Sequence, residues 1–163
     1  MMWLNGPAFL LPSHRKLDHM DNQATYDDVN LILKLYELRR EDRMREARKF
    51  FGGLKAKTLA ELQAACPPRS EQDASVRMVT SYWEMAASFI TSGVLNPELF
   101  QQSGGELLFV WTKVQDIVPE LRKAFNSPKY LANMETVAKG MIDNMNRADP
   151  KAYEAYCARV RGM

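Results

Sequence analysis

Helix start and stop signals divide this chain from residue 25 onward and leave no clear stretch for a sheet. Capping boxes begin at Thr25 and Thr58, each with an acidic residue three positions later. Glycine or proline pairs end several of the predicted helices, and no stretch alternates apolar and polar residues between turn dipeptides. The pattern predicts an all-α fold, an irregular bundle of about five to seven helices.

Further signals place the boundaries of these helices. The first helix is predicted to run unbroken from Thr25 to the glycine pair at Gly52. Ser70 is predicted to cap a long helix that Gly93 ends, and Pro119 predicts a break in a later one. Three pairs of a capping residue and a proline predict other helix starts: Asn96-Pro97, Ser127-Pro128 and Asp149-Pro150.

The first 20 residues differ from the rest of the chain. Asn5, Gly6 and two prolines interrupt their apolar run, and the basic residues follow that run instead of preceding it, which argues against a signal peptide. We interpret residues 1–20 as a disordered leader or a start codon assigned too early, and residues 21–163 as a single helical domain. The chain contains no run of 18 apolar residues that would predict a membrane span, so the expected location is cytoplasmic.

The residue types restrict the chemistry. The only histidines are His14 and His19, which argues against histidine-based catalysis and zinc sites in the predicted domain. Neither glycine pair belongs to a G-x-G-x-x-G motif or a P-loop. Cys66 and Cys157 are interpreted as reduced thiols, although a disulfide between them stays open. We therefore expect no catalytic residue, no metal site and no cofactor.

The stretch from Arg77 to Ser92 separates into two arcs on a helical wheel. Its apolar residues share an arc of roughly 200°: Met78, Val79, Tyr82, Trp83, Met85, Ala86, Ala87, Phe89 and Ile90. This wide arc predicts a central, largely buried helix around residues 71–92. The opposite arc carries small hydroxyl residues and Glu84, and this composition allows either a polar groove or the close approach of another helix.

Two arginines project into the apolar stripe predicted for the first helix. The stripe consists of Val29, Ile32, Leu33, Tyr36, Met44, Ala47, Phe50 and Phe51. Arg40 and Arg43 share its face, so either their stems lie on apolar surface with the heads in water, or one guanidinium meets a carboxylate across a helix interface. The first predicted partner is Glu84 and the second is Asp116.

Three classes of binding function follow from these features. The candidate binding residues are Arg40, Arg43, Tyr82, Trp83, Glu84 and Trp111. A cavity lined by the aromatic members and ionisable groups would indicate a small-molecule site, whereas an exposed methionine and aromatic patch would indicate a protein partner. The basic run ELRREDRMREARK interleaves acidic and basic residues, which argues against nucleic acid as the partner.

Two long segments resemble a family of small bacterial proteins of unknown function. The segments are LILKLYELRREDRMREARKFF and RMVTSYWEMAASFITSGVLNPELF, followed by GELLFVWTK, and the resemblance extends from Asp27 to Tyr130. It implies a helical fold and supplies no catalytic or binding residue.

The sequence thus favours a cytoplasmic protein-interaction or regulatory module that binds a protein partner or forms a homodimer. The alternative is a small-molecule binder or a carboxylate-based enzyme with its site in the bundle core. A nucleic-acid-binding accessory is the third hypothesis, and no membrane partner is expected.

Overall fold

A computed structural model describes residues 23–162, and this part of the chain forms nine helices and no strand. The helices are α1 (Tyr26–Arg40), α2 (Asp42–Gly53), α3 (Leu59–Ala65), α4 (Glu71–Thr91), α5 (Pro97–Ser103), α6 (Gly105–Val114), α7 (Val118–Ala124), α8 (Ala132–Ala148) and α9 (Ala152–Gly162). The predicted all-α bundle is confirmed, with more helices than expected. The predictions for residues 1–20 lie outside the described residues.

Most of the predicted helix boundaries are confirmed. Four N-caps accept a hydrogen bond from the backbone N–H three residues later: Thr25, Thr58, Ser70 and Asn96. Gly93 ends α4 with φ +75°, a conformation that favours glycine. Pro119 stands in the first turn of α7, after the break that separates this helix from α6. Local cap chemistry is therefore a reliable guide to these elements.

The long helix α4 is the centre of the bundle, as predicted. It packs against α2, α6 and α8, and it buries Val79, Trp83 and two alanines. Two positions differ from the wheel prediction. Met85 is exposed although it belongs to the apolar arc, and Thr80 is buried with its hydroxyl donating to the carbonyl of Val76 (2.9 Å).

The predicted single first helix is wrong, because the chain breaks at Glu41. This residue has ψ +142°, so α1 and α2 are separate helices. Leu33 and Phe51 are 18 residues apart, about five helical turns, and they share a face only if the helix is continuous. The break leaves Phe51 buried and Leu33 exposed. In α1 the core-facing residue is Leu35.

Two hydrogen bonds attach the beginning and the middle of α1 to the bundle. The Asp28 carboxylate accepts from the backbone N–H of Asn96 (2.6 Å), and the Tyr82 hydroxyl donates to the carbonyl of Leu35 (2.6 Å). The N–H groups of Asn96 and Thr25 hold the pKa of Asp28 below its ordinary value. The orientation of α1 is therefore set at both its beginning and its middle.

Candidate functional site

The half-buried Glu84 holds the N-terminus of α8. One carboxylate oxygen accepts from the backbone N–H (3.1 Å) and the side-chain amide (2.8 Å) of Asn133, and the other accepts from the N–H of Met134 (2.8 Å). The N-cap position of α8, Leu131, makes no side-chain capping bond. Glu84 therefore caps α8 from another helix, where its negative charge also suits the helix dipole.

The start of α8 explains this unusual cap. The helix begins at Ala132 and not at the predicted Ser127-Pro128, so that prediction is wrong. Leu131 is buried with φ +55°, which is uncommon for a bulky residue. The resulting turn presents the N–H groups of Asn133 and Met134 to Glu84. A local cap signal could not reveal a capping group that lies 49 residues away.

The predicted ion pair between Glu84 and Arg40 or Arg43 is also wrong. Both oxygens of Glu84 accept hydrogen bonds from α8, and no ion pair joins it to either arginine among the described residues. Arg40 and Arg43 are both exposed. The second predicted partner, Asp116, pairs with Arg161 of α9 (2.5 Å).

An arginine–carboxylate contact across helices does exist, but other residues form it. Glu106 of α6 accepts two hydrogen bonds from Arg48 (2.5 and 2.6 Å) and one from Arg39 (3.2 Å). The side chains of Glu106, Arg48 and Arg39 are 19%, 30% and 16% exposed. Arg39 follows the core residue Leu35 by four positions, so it shares the core face of α1. Because the predicted apolar stripe did not include Leu35, no signal in the sequence pointed to Arg39.

Tyr82 and Trp83 lie beside this arginine cluster, at a cavity of about 30 Å³ that Arg39 also lines. The Trp83 indole N–H is buried and has no hydrogen-bond partner among the described residues. Such a volume holds about one water molecule. Trp111 is buried elsewhere in the core and does not line this cavity. Of the three predicted aromatic residues, only Tyr82 and Trp83 therefore lie together, and the cavity beside them is too small for a metabolite.

The Tyr82 phenol should titrate late. Burial raises its pKa to about 12, while the positive charge of Arg39 acts in the opposite direction. Because the pKa is raised, the neutral phenol of Tyr82 stabilises the fold fully below the ordinary tyrosine pKa near 10. This stabilisation is lost as the pH rises from about 10 to 12. The Tyr82→Phe variant should lack one component of the wild-type ultraviolet titration curve, and we expect that component near pH 12. A missing component that titrates near pH 10 would contradict the buried placement.

A continuous apolar face remains on the outside of α1. Tyr26, Val29, Leu33 and Tyr36 form this outer face, and they are 78%, 41%, 55% and 48% exposed. The core residue Leu35 points roughly 140° away from the centre of the outer face at 100° per residue. Helix α1 is thus apolar on two sides, and the described residues bury only one of them.

The polar arc of α4 lines a groove with a volume of about 730 Å³. The residues of α4 that line the groove include Thr80, Ser81, Glu84, Met85 and Ser88. The opposite wall is the connection between α7 and α8, where the rings of Phe125 and Tyr130 meet edge to face, with centroids 5.1 Å apart. The structure shows both arrangements that the small hydroxyl residues allowed: the polar arc lines this groove, and Glu84 and Thr91 contact the start of α8.

Several other expectations concern metals, thiols and membranes. Within residues 23–162, no three histidine, cysteine, aspartate or glutamate side chains group as a metal site. Cys66 and Cys157 are both free thiols, and burial raises the pKa of Cys66. None of the helices described above is both long and apolar enough to cross a membrane.

The family model described as a domain of unknown function (DUF4760) matches residues 24–141, which extend from the cap of α1 into α8. No curated protein and no solved structure matches the chain.

Proposed function

Because the chain belongs to the DUF4760 family of unknown function, we propose its function from its own surfaces. We infer that it is a cytoplasmic protein-interaction module of a bacterial cell and that it associates with a second copy through the outer face of α1. The observation that carries this proposal is the exposure of four large apolar side chains along one side of an anchored helix. Contiguous exposed patches of this kind typically mark interaction sites.

The spacing of the outer face suits a second helix. Tyr26, Val29, Leu33 and Tyr36 are separated by three, four and three residues, which is the a/d pattern of a coiled coil. Helix α1 has 15 residues and is therefore about 22 Å long. A helix of this length supports a small interface on its own, so we expect association that depends on protein concentration.

The two ends of the outer face favour an antiparallel pair. Arg40 lies at its C-terminal end and forms no ion pair with a described residue, and the Tyr26 ring lies at its N-terminal end. If two α1 helices cross antiparallel with Leu33 at the two-fold axis, Arg40 of one copy lies beside the Tyr26 ring of the other, where a cation–π contact can form. Such an arrangement is self-complementary, as a symmetric dimer requires.

The ion pairs that the arginines of the basic run already form favour a protein partner over nucleic acid. Glu106 already holds Arg39 and Arg48, and Asp42 pairs with Arg45. These internal pairs reduce the positive charge that is free to contact phosphates.

The first test is sedimentation equilibrium of the full chain over a wide concentration range. We expect the wild type to dimerise and Leu33→Glu to weaken dimerisation by more than about tenfold, because two like charges would meet at the axis. Val94→Glu is the matched control, since Val94 is an exposed apolar residue outside α1. Its self-association should equal that of the wild type.

Two further variants test the antiparallel register. Arg40→Glu should weaken the dimer because it removes the cation that faces the Tyr26 ring of the other copy, whereas Arg40→Lys should keep most of the affinity. Leu33→Cys should form a disulfide between copies under mild oxidation, whereas Lys34→Cys, one residue away on the helix, should not. A monomer at every concentration without the Leu33→Cys cross-link would overturn the proposal.

A further inference from the structure

The groove beside α4 contains one charged side chain without a partner. Asp73 accepts from Arg77 (3.2 Å), so these two charges offset each other. Glu84 is committed to the N-terminus of α8. Lys129 lies on the opposite wall, and its side chain forms no ion pair or hydrogen bond with a described residue. The groove is thus lined by two acidic and two basic side chains, and the unpaired one, Lys129, is available to the anionic group of a ligand.

The hydroxyl groups on the α4 side are available as acceptors. Ser81 donates its proton to the carbonyl of Met78 (3.3 Å), and Ser88 donates to the carbonyl of Met85 (2.7 Å). A hydroxyl that donates to its own helix keeps its lone pairs for another donor. This wall thus favours a ligand that carries an N–H or O–H group.

The remaining lining is apolar and aromatic. Val76 and Leu121 lie in the groove, together with the edge-to-face pair of Phe125 and Tyr130. Small-molecule sites usually have volumes of about 300–1,000 Å³, apolar walls and a few placed polar groups. The volume of about 730 Å³ lies inside that range.

We propose that this groove binds a small aromatic acid that carries a hydrogen-bond donor. The ring of the ligand lies against Phe125 and Tyr130, its donor meets Ser81 or Ser88, and its carboxylate pairs with Lys129. This site is separate from the outer face of α1, so it adds a ligand to the interaction module described above.

Three probes with the same ring and different charges test the proposal by isothermal titration calorimetry of the full chain. Indole-3-acetate, indole and tryptamine share an indole N–H and carry a negative charge, no charge and a positive charge. We expect affinity to fall in that order. The same order in Leu33→Glu would show that the groove acts independently of self-association.

Two variants assign the binding to the groove. Lys129→Gln should lower the affinity for indole-3-acetate by about two- to fivefold, the effect expected for the loss of an exposed ion pair. Lys123→Gln, an exposed lysine outside the groove, should leave the affinity unchanged. Ser81→Trp should fill the groove and lower affinity by more than tenfold, and circular dichroism should show an intact fold because Ser81 is exposed and bonds only within α4.

Three outcomes would overturn this inference. The first is no binding of indole-3-acetate at millimolar concentration to the folded protein. The second is tighter binding of tryptamine, which would mean that the carboxylates dominate the groove. The third is binding that Ser81→Trp leaves unchanged.

Discussion

Replacement of Glu106 by alanine is expected to lower the free energy of unfolding by about 2–4 kcal/mol. The Glu106 carboxylate accepts hydrogen bonds from Arg48 and Arg39 and joins α6 to α2 and α1. Its removal would leave two guanidinium groups close together and mostly shielded from water. Because both are partly solvated, the expected loss is somewhat smaller than that for a fully buried pair.

Urea unfolding followed by circular dichroism measures this loss. Glu98→Ala, which removes an exposed carboxylate in the first turn of α5, should cost less than about 1 kcal/mol. Replacing Glu106 by leucine together with methionine at Arg39 and Arg48 should recover most of the loss, because the buried charges disappear together. If Glu106→Ala and Glu98→Ala lost equal stability, the cluster would have no role in holding α1 and α2 on α6.

The second large effect is expected for Glu84→Ala, at about 2–3 kcal/mol. The substitution deprives the N–H groups of Asn133 and Met134 of their acceptor, and Met134 is fully buried, so water cannot readily replace the carboxylate. Glu84→Gln keeps one acceptor oxygen and should lose about half as much. Amide hydrogen exchange at Asn133 and Met134 should accelerate strongly in the alanine variant.

A distant carboxylate provides the control for this cap. Glu154→Ala removes an exposed acidic residue from the first turn of α9 and should leave exchange in α8 unchanged. If exchange at Asn133 and Met134 in Glu84→Ala remained at the wild-type rate, the capping role would be refuted. A loss of stability without that local change would point instead to a general packing defect in α4.

Helix boundaries were predictable where the capping group lies beside the helix that it caps. Thr25, Thr58, Ser70 and Asn96 each accept a bond from a residue three positions later, so the signal is present within four letters of sequence. At α8 the cap is Glu84, which belongs to another helix. No local pattern could then distinguish the true start at Ala132 from the cap-like pair at Ser127.

The outer face of α1 could not be predicted because the helix breaks at Glu41. With a continuous helix, Leu33 would share the face of Phe51 and point into the core. The extended conformation of Glu41 removes that phase relation, and α1 turns Leu35 inward instead. Glu41 lies in a run of charged residues without glycine or proline, so neither of the usual breaking residues marked the position.

The sequence left two arrangements open for the arginines, and the structure contains the second of them with other residues. Either the heads of Arg40 and Arg43 reach water, or one of them meets a carboxylate between helices, with Glu84 as the first partner. The structure uses Arg39 and Arg48 with Glu106. The helical phase decides which of two neighbouring arginines faces the core, and the break at Glu41 changed that phase.

The helical class, most helix boundaries and the central position of α4 could be derived from the sequence alone, because capping bonds and apolar arcs act over a few residues. Three features required the tertiary structure: Glu84 caps α8, Glu106 binds two arginines, and the described residues leave one apolar face of α1 uncovered. These features depend on the direction in which each helix leaves its turn, and that direction results from packing between residues that are distant in the chain.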